Sequence, residues 1–321
     1  MKAIQVAKPG DADCLALVDI EKPTVQAGTV LVKNKYAGVN YIDTYIRSGL
    51  YPVSMPTLLG REGSGVIEQV GQGVTGFNVG DRVAFLTVNN SYAEYSVVST
   101  SKLIKLPDDV PFDVGAACLL QGLTALTLVT RSYKVKKGDI VLVHAAAGGT
   151  GRILVQLCKH YGATVIGTTS TEEKAEIARQ SGADHIILYS KESVPDRVRE
   201  ITGGKMVNVV FDGVGKSTFN GSFDSLARCG YLVSFGNASG KVPPIEINIL
   251  SRGNIVLQRP MLNDYIATQE EFDDAANTLM SLISEKKVEI NICKVFDLAN
   301  AVDAHKYIEA RLSTGKVLIK I

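Results

Sequence analysis

The run 138–151, GDIVLVHAAAGGTG, places an apolar strand candidate directly before a glycine-rich turn, and that turn directly before the helical pattern 153–161. No other stretch constrains the fold as strongly, because a strand, a small-residue turn and a helix in this order make the βα unit that brings bare backbone up to an anion. Read as Ala146-x-Gly148-x-x-Gly151, the run has alanine in the first glycine position, which is tolerated provided that residue keeps a negative φ. Gly148 lets the backbone approach a pyrophosphate, and Gly151 lets the helix pack close to the strand. The helix N-terminus adds free N–H groups and partial positive charge.

The surroundings extend this unit into a sheet. Strand candidates at 140–144, 164–168, 185–188, 207–211, 231–235 and 255–258 alternate with helical patterns at 153–161, 172–181, 196–202 and 217–228. Such alternation predicts an α/β domain with a doubly wound parallel sheet of the Rossmann kind. Residues 1 to about 110 read differently: short β runs at 29–34, 65–70, 82–86 and 92–98, separated by Gly and Pro, suggest a small barrel-like domain. After Pro260 come one amphipathic helix near 270–285 and a strand-like end at 316–321, too little to fold alone. The expected organisation is therefore 1–122 and 261–321 forming one β-rich domain, with 123–260 inserted as the nucleotide-binding domain, and a cleft between the two.

Charge narrows the function. With 34 Lys+Arg against 33 Asp+Glu the net charge is +1, so nucleic acid is not a primary expectation. Five scattered cysteines form no CxxC pair and no Cys/His cluster, so no metal site is expected and a reducing, cytoplasmic setting is. The N-terminus lacks the apolar run of a signal peptide. The uncharged stretch 114–130 is at the short limit for a membrane span, and its Gln121 and Gly122 favour a buried helix.

The choice of dinucleotide is read at the end of the second strand, where an acid would hold a ribose 2′-OH. This chain has Thr168, Thr169 and Ser170 there, with Lys174 following. Without a carboxylate to repel a 2′-phosphate and with a lysine nearby, NADP(H) is expected over NAD(H). Ser170 with Glu173 also reads as a capping box for the next helix.

Taken together, Gly138-Asp139 with Leu142, the loop 146–151, Gln156 and Lys159, the segment 40–52 (NYIDTYIRSGLYP) and the segment 234–240 (SFGNASG) resemble the quinone oxidoreductase, or zeta-crystallin-like, branch of the medium-chain dehydrogenase/reductase superfamily. The resemblance covers the whole chain, with Thr150 standing where valine is usual. It implies a GroES-like catalytic domain carrying the Rossmann insertion, and an enzyme that passes reducing equivalents from NADPH to quinones. The positions that match the catalytic zinc ligands of related alcohol dehydrogenases are Asn40, Arg61 and Gln121, not a zinc ligand set.

The resemblance further implies that Asn40, Tyr45 and Tyr51 line the acceptor pocket, with Asn40 donating an amide N–H to a carbonyl oxygen. It places Thr124, Ala147, Gly148, Gly149, Thr150 and Gly151, with the Phe235-Gly236-Asn237 backbone, along the cofactor. Thr168, Ser170, Lys174 and Tyr189 fall on its 2′-phosphate and adenine side, while Arg259 and Lys316 approach it as basic residues. Glu62 is expected to pair with a basic neighbour. A homodimer joined at the edge of the nucleotide-binding sheet, near 241–250, is implied as well. The alternatives are a zinc-free enone or alkenal double-bond reductase, and a non-catalytic, crystallin-like role with weak binding of AU-rich RNA.

Overall fold

The computed structural model describes all 321 residues, and they form two compact units. The first comprises Met1–Gln121, Thr268–Met280 and Ile290–Ile321, the second Gly122–Ala267 and Ser281–Glu289. The insertion is therefore longer than 123–260 at its end. Tyr265, beyond the expected boundary, is held in the second unit by its hydroxyl, 3.1 Å from Ser132 Oγ and 2.7 Å from Gln258 Nε2. Residues 281–289 stay there too, since Gln156 bonds both the N–H (2.7 Å) and the carbonyl (3.1 Å) of Glu289.

The second unit is built on six parallel strands in the order His185–Leu188, Thr164–Thr169, Ile140–Val143, Val207–Asp212, Leu226–Ser234, Val256–Gln258. This is the order of a full dinucleotide-binding fold, with its switch point between the strands Ile140–Val143 and Val207–Asp212. Leu142, Ile166, Ile187, Val210 and Leu232 from successive strands meet Val198, Phe219 and Phe223 from the helices in one core. Both faces of the sheet are covered, so its strands are nearly continuous apolar runs rather than alternating ones.

Two readings need correction here. The helix expected over 217–228 is only Phe219–Asp224, and the strand that follows starts at Leu226, where Val207 pairs with it. Residues 241–250 form no edge strand: Pro243 and Pro244 lack the N–H of a ladder, and the segment ends in the 3₁₀ turn Ile247–Ser251. The sheet edge is Val256–Gln258. The uncharged stretch lies in Phe112–Ser132, a continuous helix 21 residues long and two-thirds buried.

The first unit is organised by the eleven-residue strand Thr29–Val39. Along one edge it pairs with Glu62–Val70; along the other, Thr29–Lys33 faces Tyr95–Ser99 and Tyr36–Val39 faces Lys316–Lys320. Val317 lies opposite Val39, and Gly63 opposite Ala37. That register brings Asn40, Glu62 and Lys316 together. Gly38 is required beside them, because a Cβ there would sit 2.5 Å from both Glu62 Oε1 and the Ala116 carbonyl.

In the glycine-rich turn, Ala146 keeps a negative φ, and the left-handed residue is Ala145, at φ 51°. The helix Gly149–His160 starts at once, with Gly148 as its N-cap. A Cβ on Gly151 would lie 2.1 Å from the Ala145 carbonyl oxygen, whereas one on Gly148 would lie 3.2 Å from it. Gly151→Ala is accordingly expected to cost about 1–3 kcal/mol of stability in denaturant melts, as overpacking against rigid backbone does. Gly148→Ala should cost less than half of that while still weakening dinucleotide binding in titration calorimetry.

Candidate active site

In the first unit, Lys316 and Glu62 are 1% and 0% exposed and form a buried ion pair. Lys316 Nζ also donates to Asn40 Oδ1 at 2.8 Å. Asn40 Nδ2 donates to Glu62 Oε1 at 2.8 Å and to the Gly38 carbonyl at 3.2 Å, and the Leu120 N–H meets Glu62 Oε2 at 2.8 Å. Both amide hydrogens of Asn40 are therefore taken by the protein. The expected donation from Asn40 to an acceptor carbonyl is corrected: Asn40 bridges the ion pair. Lys316 likewise directs its ammonium at Glu62 and Asn40. Glu62 has the basic partner expected of it.

A second chain of buried polar groups starts at Asn40. Its backbone N–H donates to Asp43 Oδ2 (2.9 Å), the reverse half of a capping box for the helix Tyr41–Arg47. Tyr92 OH donates to the same oxygen at 2.9 Å, so it accepts from His305 Nε2, 3.4 Å away. His305 Nδ1 then accepts from Arg47 Nη1 (3.3 Å), and Arg47 is held by Glu309 at 3.0 and 2.6 Å. Asp43 Oδ1 is buried with no hydrogen-bond partner. Burial pushes the Asp43 carboxyl up to about 6 despite the bonds from Asn40 and Tyr92 and the charges of Lys316 and Arg61. Burial, followed by the Arg47 charge, pushes His305 down to about 3.

Tyr45 and Tyr51 lie half-buried beside this cluster. Their rings meet edge to face at 5.4 Å, and the Tyr51 N–H closes the loop onto the Tyr45 carbonyl at 3.0 Å. Arg61 is half-buried. Gln121 is half-buried.

In the second unit, the turn 144–148 is stitched to both neighbouring strands: His144 N–H donates to the Phe211 carbonyl and Ala146 N–H to the Thr168 carbonyl, each at 3.1 Å. The helix beginning at Gly149 directs the first-turn N–H groups of Gly149, Thr150 and Gly151 out of the strand end, and Ala147 precedes them. This cradle, shaped by Gly148, Gly149 and Gly151, fits a pyrophosphate. At the next strand end Thr168 departs from expectation: it is fully buried and its hydroxyl bonds His144 Nδ1 at 3.0 Å. Ser170 remains half-buried, with Tyr189 beside it through the Tyr189 N–H to Thr169 carbonyl bond (3.1 Å). The N-cap of the helix Glu172–Gln180 is Thr171, whose hydroxyl accepts from the Lys174 N–H at 3.3 Å; the cap expected at Ser170 is thus displaced by one residue, and with lysine at the third position there is no reciprocal capping box. Arg259 Nη1 donates to the carbonyls of Ser234 (3.0 Å) and Gly236 (2.9 Å), propping the Phe235-Gly236-Asn237 turn from below. Thr124 is half-buried on the long helix.

Known proteins agree with this arrangement. Residues 26–108 match the alcohol dehydrogenase GroES-like domain and residues 149–282 the zinc-binding dehydrogenase family. The chain is 44% identical to a quinone oxidoreductase of Pseudomonas aeruginosa over 99% of both chains, and 39% identical to a 2-haloacrylate reductase of a Burkholderia species over 99% and 98%. It superposes on the crystal structure of Escherichia coli quinone oxidoreductase complexed with NADPH with a TM-score of 0.98, at 38% identity, covering all of both chains. The chain belongs to the quinone oxidoreductase family of medium-chain dehydrogenases/reductases.

For a quinone oxidoreductase the zinc of the wider superfamily has to be tested against the side chains present. Asn40, Arg61 and Gln121 offer one bridged amide, one cation and one further amide, and no three His, Cys, Asp or Glu side chains gather anywhere in the chain. This donor set does not fit zinc. The NADPH cradle does fit its cofactor, by the glycine-shaped turn and the absence of an acid at Thr169-Ser170.

Asp43, Tyr92, Arg47 and His305 were not legible as a unit in the sequence. Only the Asn40-x-x-Asp43 spacing carried a local signal. Their shifts have opposite consequences for stability. The folded state holds the Asp43 proton more tightly than the unfolded chain, so between about pH 4 and 6 this group's contribution falls as pH rises. Folded His305 resists protonation, so between about pH 3 and 6.5 its contribution rises with pH and is lost on acidification. Asp43→Asn should therefore steepen acid denaturation by up to ~1.4 kcal/mol per pH unit across that window, and His305→Gln should reverse the slope. Stability measured in urea from pH 4 to 7 checks both signs.

Proposed function

We propose that this chain is an NADPH-dependent quinone reductase that works without zinc. The observation that carries the reading is its likeness, from end to end, to quinone oxidoreductases, among them one complexed with NADPH. When bound, NADPH supplies two electrons as a hydride. A quinone is electrophilic enough to take it without a Lewis acid, needing one proton besides to become a hydroquinone.

The residues divide the work. The N–H groups of Gly149, Thr150 and Gly151 at the helix start, approached over Ala147 and Gly148, bind the pyrophosphate. Ser170, Lys174 and Tyr189 receive the 2′-phosphate and adenine, and Thr124 with the Phe235-Gly236-Asn237 turn flanks the nicotinamide. Tyr45 and Tyr51 orient the acceptor ring by stacking and donate hydroxyl hydrogens to the oxygen that gains charge. Asn40 and Lys316 act behind them, by fixing the end of the strand Thr29–Val39. A homodimer joined along Val256–Gln258 accounts for the exposed Val256 at that edge and for Ile247 nearby. Five unbridged cysteines suit a reducing, cytoplasmic setting.

The 2-haloacrylate reductase likeness favours a second reading, reduction of an activated carbon–carbon double bond. Chelator-treated protein assayed with NADPH and NADH against quinones and 2-haloacrylates separates the two. The expected outcome is quinone turnover with NADPH preferred, unaffected by chelator. Lys174→Ala should erode that preference by ~10-fold or more, as loss of a charge-assisted bond to phosphate does. Combining Tyr45→Phe with Tyr51→Phe should lower kcat by about 10-fold or more. Turnover of haloacrylates alone would move the chain to the second reading.

A further inference from the structure

Beneath the nucleotide cradle, four buried side chains form one unbranched line across the carboxyl ends of the central strands. Thr168 is the last residue but one of one strand, His144 follows the next, Asp212 ends the third, and Ser222 rises from the helix Phe219–Asp224 to meet them. All are at most 4% exposed. His144 Nδ1 is 3.0 Å from Thr168 Oγ1 and His144 Nε2 is 2.9 Å from Ser222 Oγ. Ser222 Oγ donates to Asp212 Oδ2 at 2.7 Å.

The direction of every bond follows from its last acceptor. Asp212 Oδ1 is already met by the N–H groups of Val214 (2.8 Å) and Gly215 (3.0 Å), and Thr218 also donates to the carboxylate, so the group is an acceptor throughout. Ser222 then gives its hydrogen to Asp212 and accepts from His144 Nε2–H. A neutral His144 with its hydrogen on Nε2 must accept at Nδ1 from the Thr168 hydroxyl. Burial, which disfavours imidazolium, agrees with a neutral ring.

Each end of the line sits under one half of the dinucleotide site. Thr168 precedes Thr169 and Ser170 on the 2′-phosphate side. Asp212 holds the turn 213–218, and that turn is fastened to the turn after Phe235: Ser239 N–H donates to the Val214 carbonyl (2.8 Å) and Lys216 N–H to the Gly240 carbonyl (3.1 Å). A Cβ on Gly236 would lie 2.2 Å from the Gly213 carbonyl, so the two turns lie in direct backbone contact.

We propose that Thr168, His144, Ser222 and Asp212 form a tie that fixes the separation of the two halves of the NADPH site, with His144 as its positioning residue. The inference rests on the cofactor reading above and goes beyond it. A dinucleotide gains from having both halves met at once only if the two subsites stand at the right spacing. The tie serves that spacing without touching the cofactor.

The test compares whole with parts. Titration calorimetry gives the Kd of NADPH, of 2′,5′-ADP and of reduced nicotinamide mononucleotide for the unaltered chain, Thr168→Val, Ser222→Ala and the double variant. Each single change is expected to weaken NADPH by about tenfold and each fragment by less than about twofold. The double variant should be no weaker than the singles, because both cuts sever one line. Histidine ¹⁵N shifts should show His144 neutral with its hydrogen on Nε2 from pH 6 to 8. Equal weakening of fragments and NADPH would overturn the tie in favour of a purely structural role. So would additive losses, unchanged NADPH affinity, or the opposite tautomer. An unaltered chain that binds 2′,5′-ADP and reduced nicotinamide mononucleotide but not NADPH would also overturn the tie, and one that binds none of the three overturns the cofactor reading itself.

Discussion

The ion pair between Lys316 and Glu62 fixes the first unit, because it joins three stretches of chain that are far apart in sequence. Lys316 opens the last strand, Glu62 opens the strand at 62–70, and Asn40 closes the strand at 29–39, yet the three side chains share hydrogen bonds. A one-residue slip of either ladder would turn one partner to the opposite face and leave the other charge buried alone, an error worth several kcal/mol. The pair is thus a register lock more than a source of net stability. Gly38 makes it possible, since any side chain there would occupy the volume of the Glu62 carboxylate.

The two units treat buried polarity alike. In each, a line of side chains ends on a carboxylate whose bonds set the direction of all the others: Asp43 for Tyr92, His305 and Arg47, and Asp212 for Ser222, His144 and Thr168. The difference lies in the count of donors. Asp212 is met on both oxygens by backbone and hydroxyl donors, whereas Asp43 keeps one buried oxygen unpartnered. At Asp43 burial pushes the carboxyl up to about 6, and the two bonds it accepts offset this only in part.

Most of the nucleotide-binding unit was legible in the sequence because its information is local. A strand, a small-residue turn and a helix are written consecutively at 140–160, and five further apolar runs recur with the spacing of a wound sheet. The strand at 82–86, a short β-rich run between turn residues, and the amphipathic helix near 270–285 were equally readable. What failed was information that only tertiary contact supplies. Thr168 and Ser170 are two residues apart and looked equivalent, yet the strand ends at Thr169, so Thr168 faces inward to His144 while Ser170 lies beyond the ladder and stays half-buried. Asn40 looked like a free amide because nothing in residues 40–52 announces that Lys316, 276 positions later, would claim it. The boundary at 261 failed because one tyrosine, Tyr265, is anchored by hydroxyl bonds no periodicity reveals.

The chemistry of the first unit follows from where its positive charge is spent. A metal ion polarises a carbonyl because part of its charge remains open to an incoming ligand. The Lys316 charge is instead neutralised where it lies: the buried ammonium donates to a carboxylate and an amide oxygen, and Glu62 is further held by the Leu120 N–H. Tyr45 and Tyr51, half-buried beside this cluster, carry hydroxyls and ring faces but no Lewis acid. A site of that kind can orient an acceptor and stabilise a partly anionic oxygen, and it leaves the acceptor to supply its own electrophilicity. Alcohols and simple ketones need polarisation to exchange hydride; quinones and alkenes bearing an electron-withdrawing group do not. The buried ion pair that secures the strand register is therefore a cation already neutralised by its own carboxylate, not a Lewis acid.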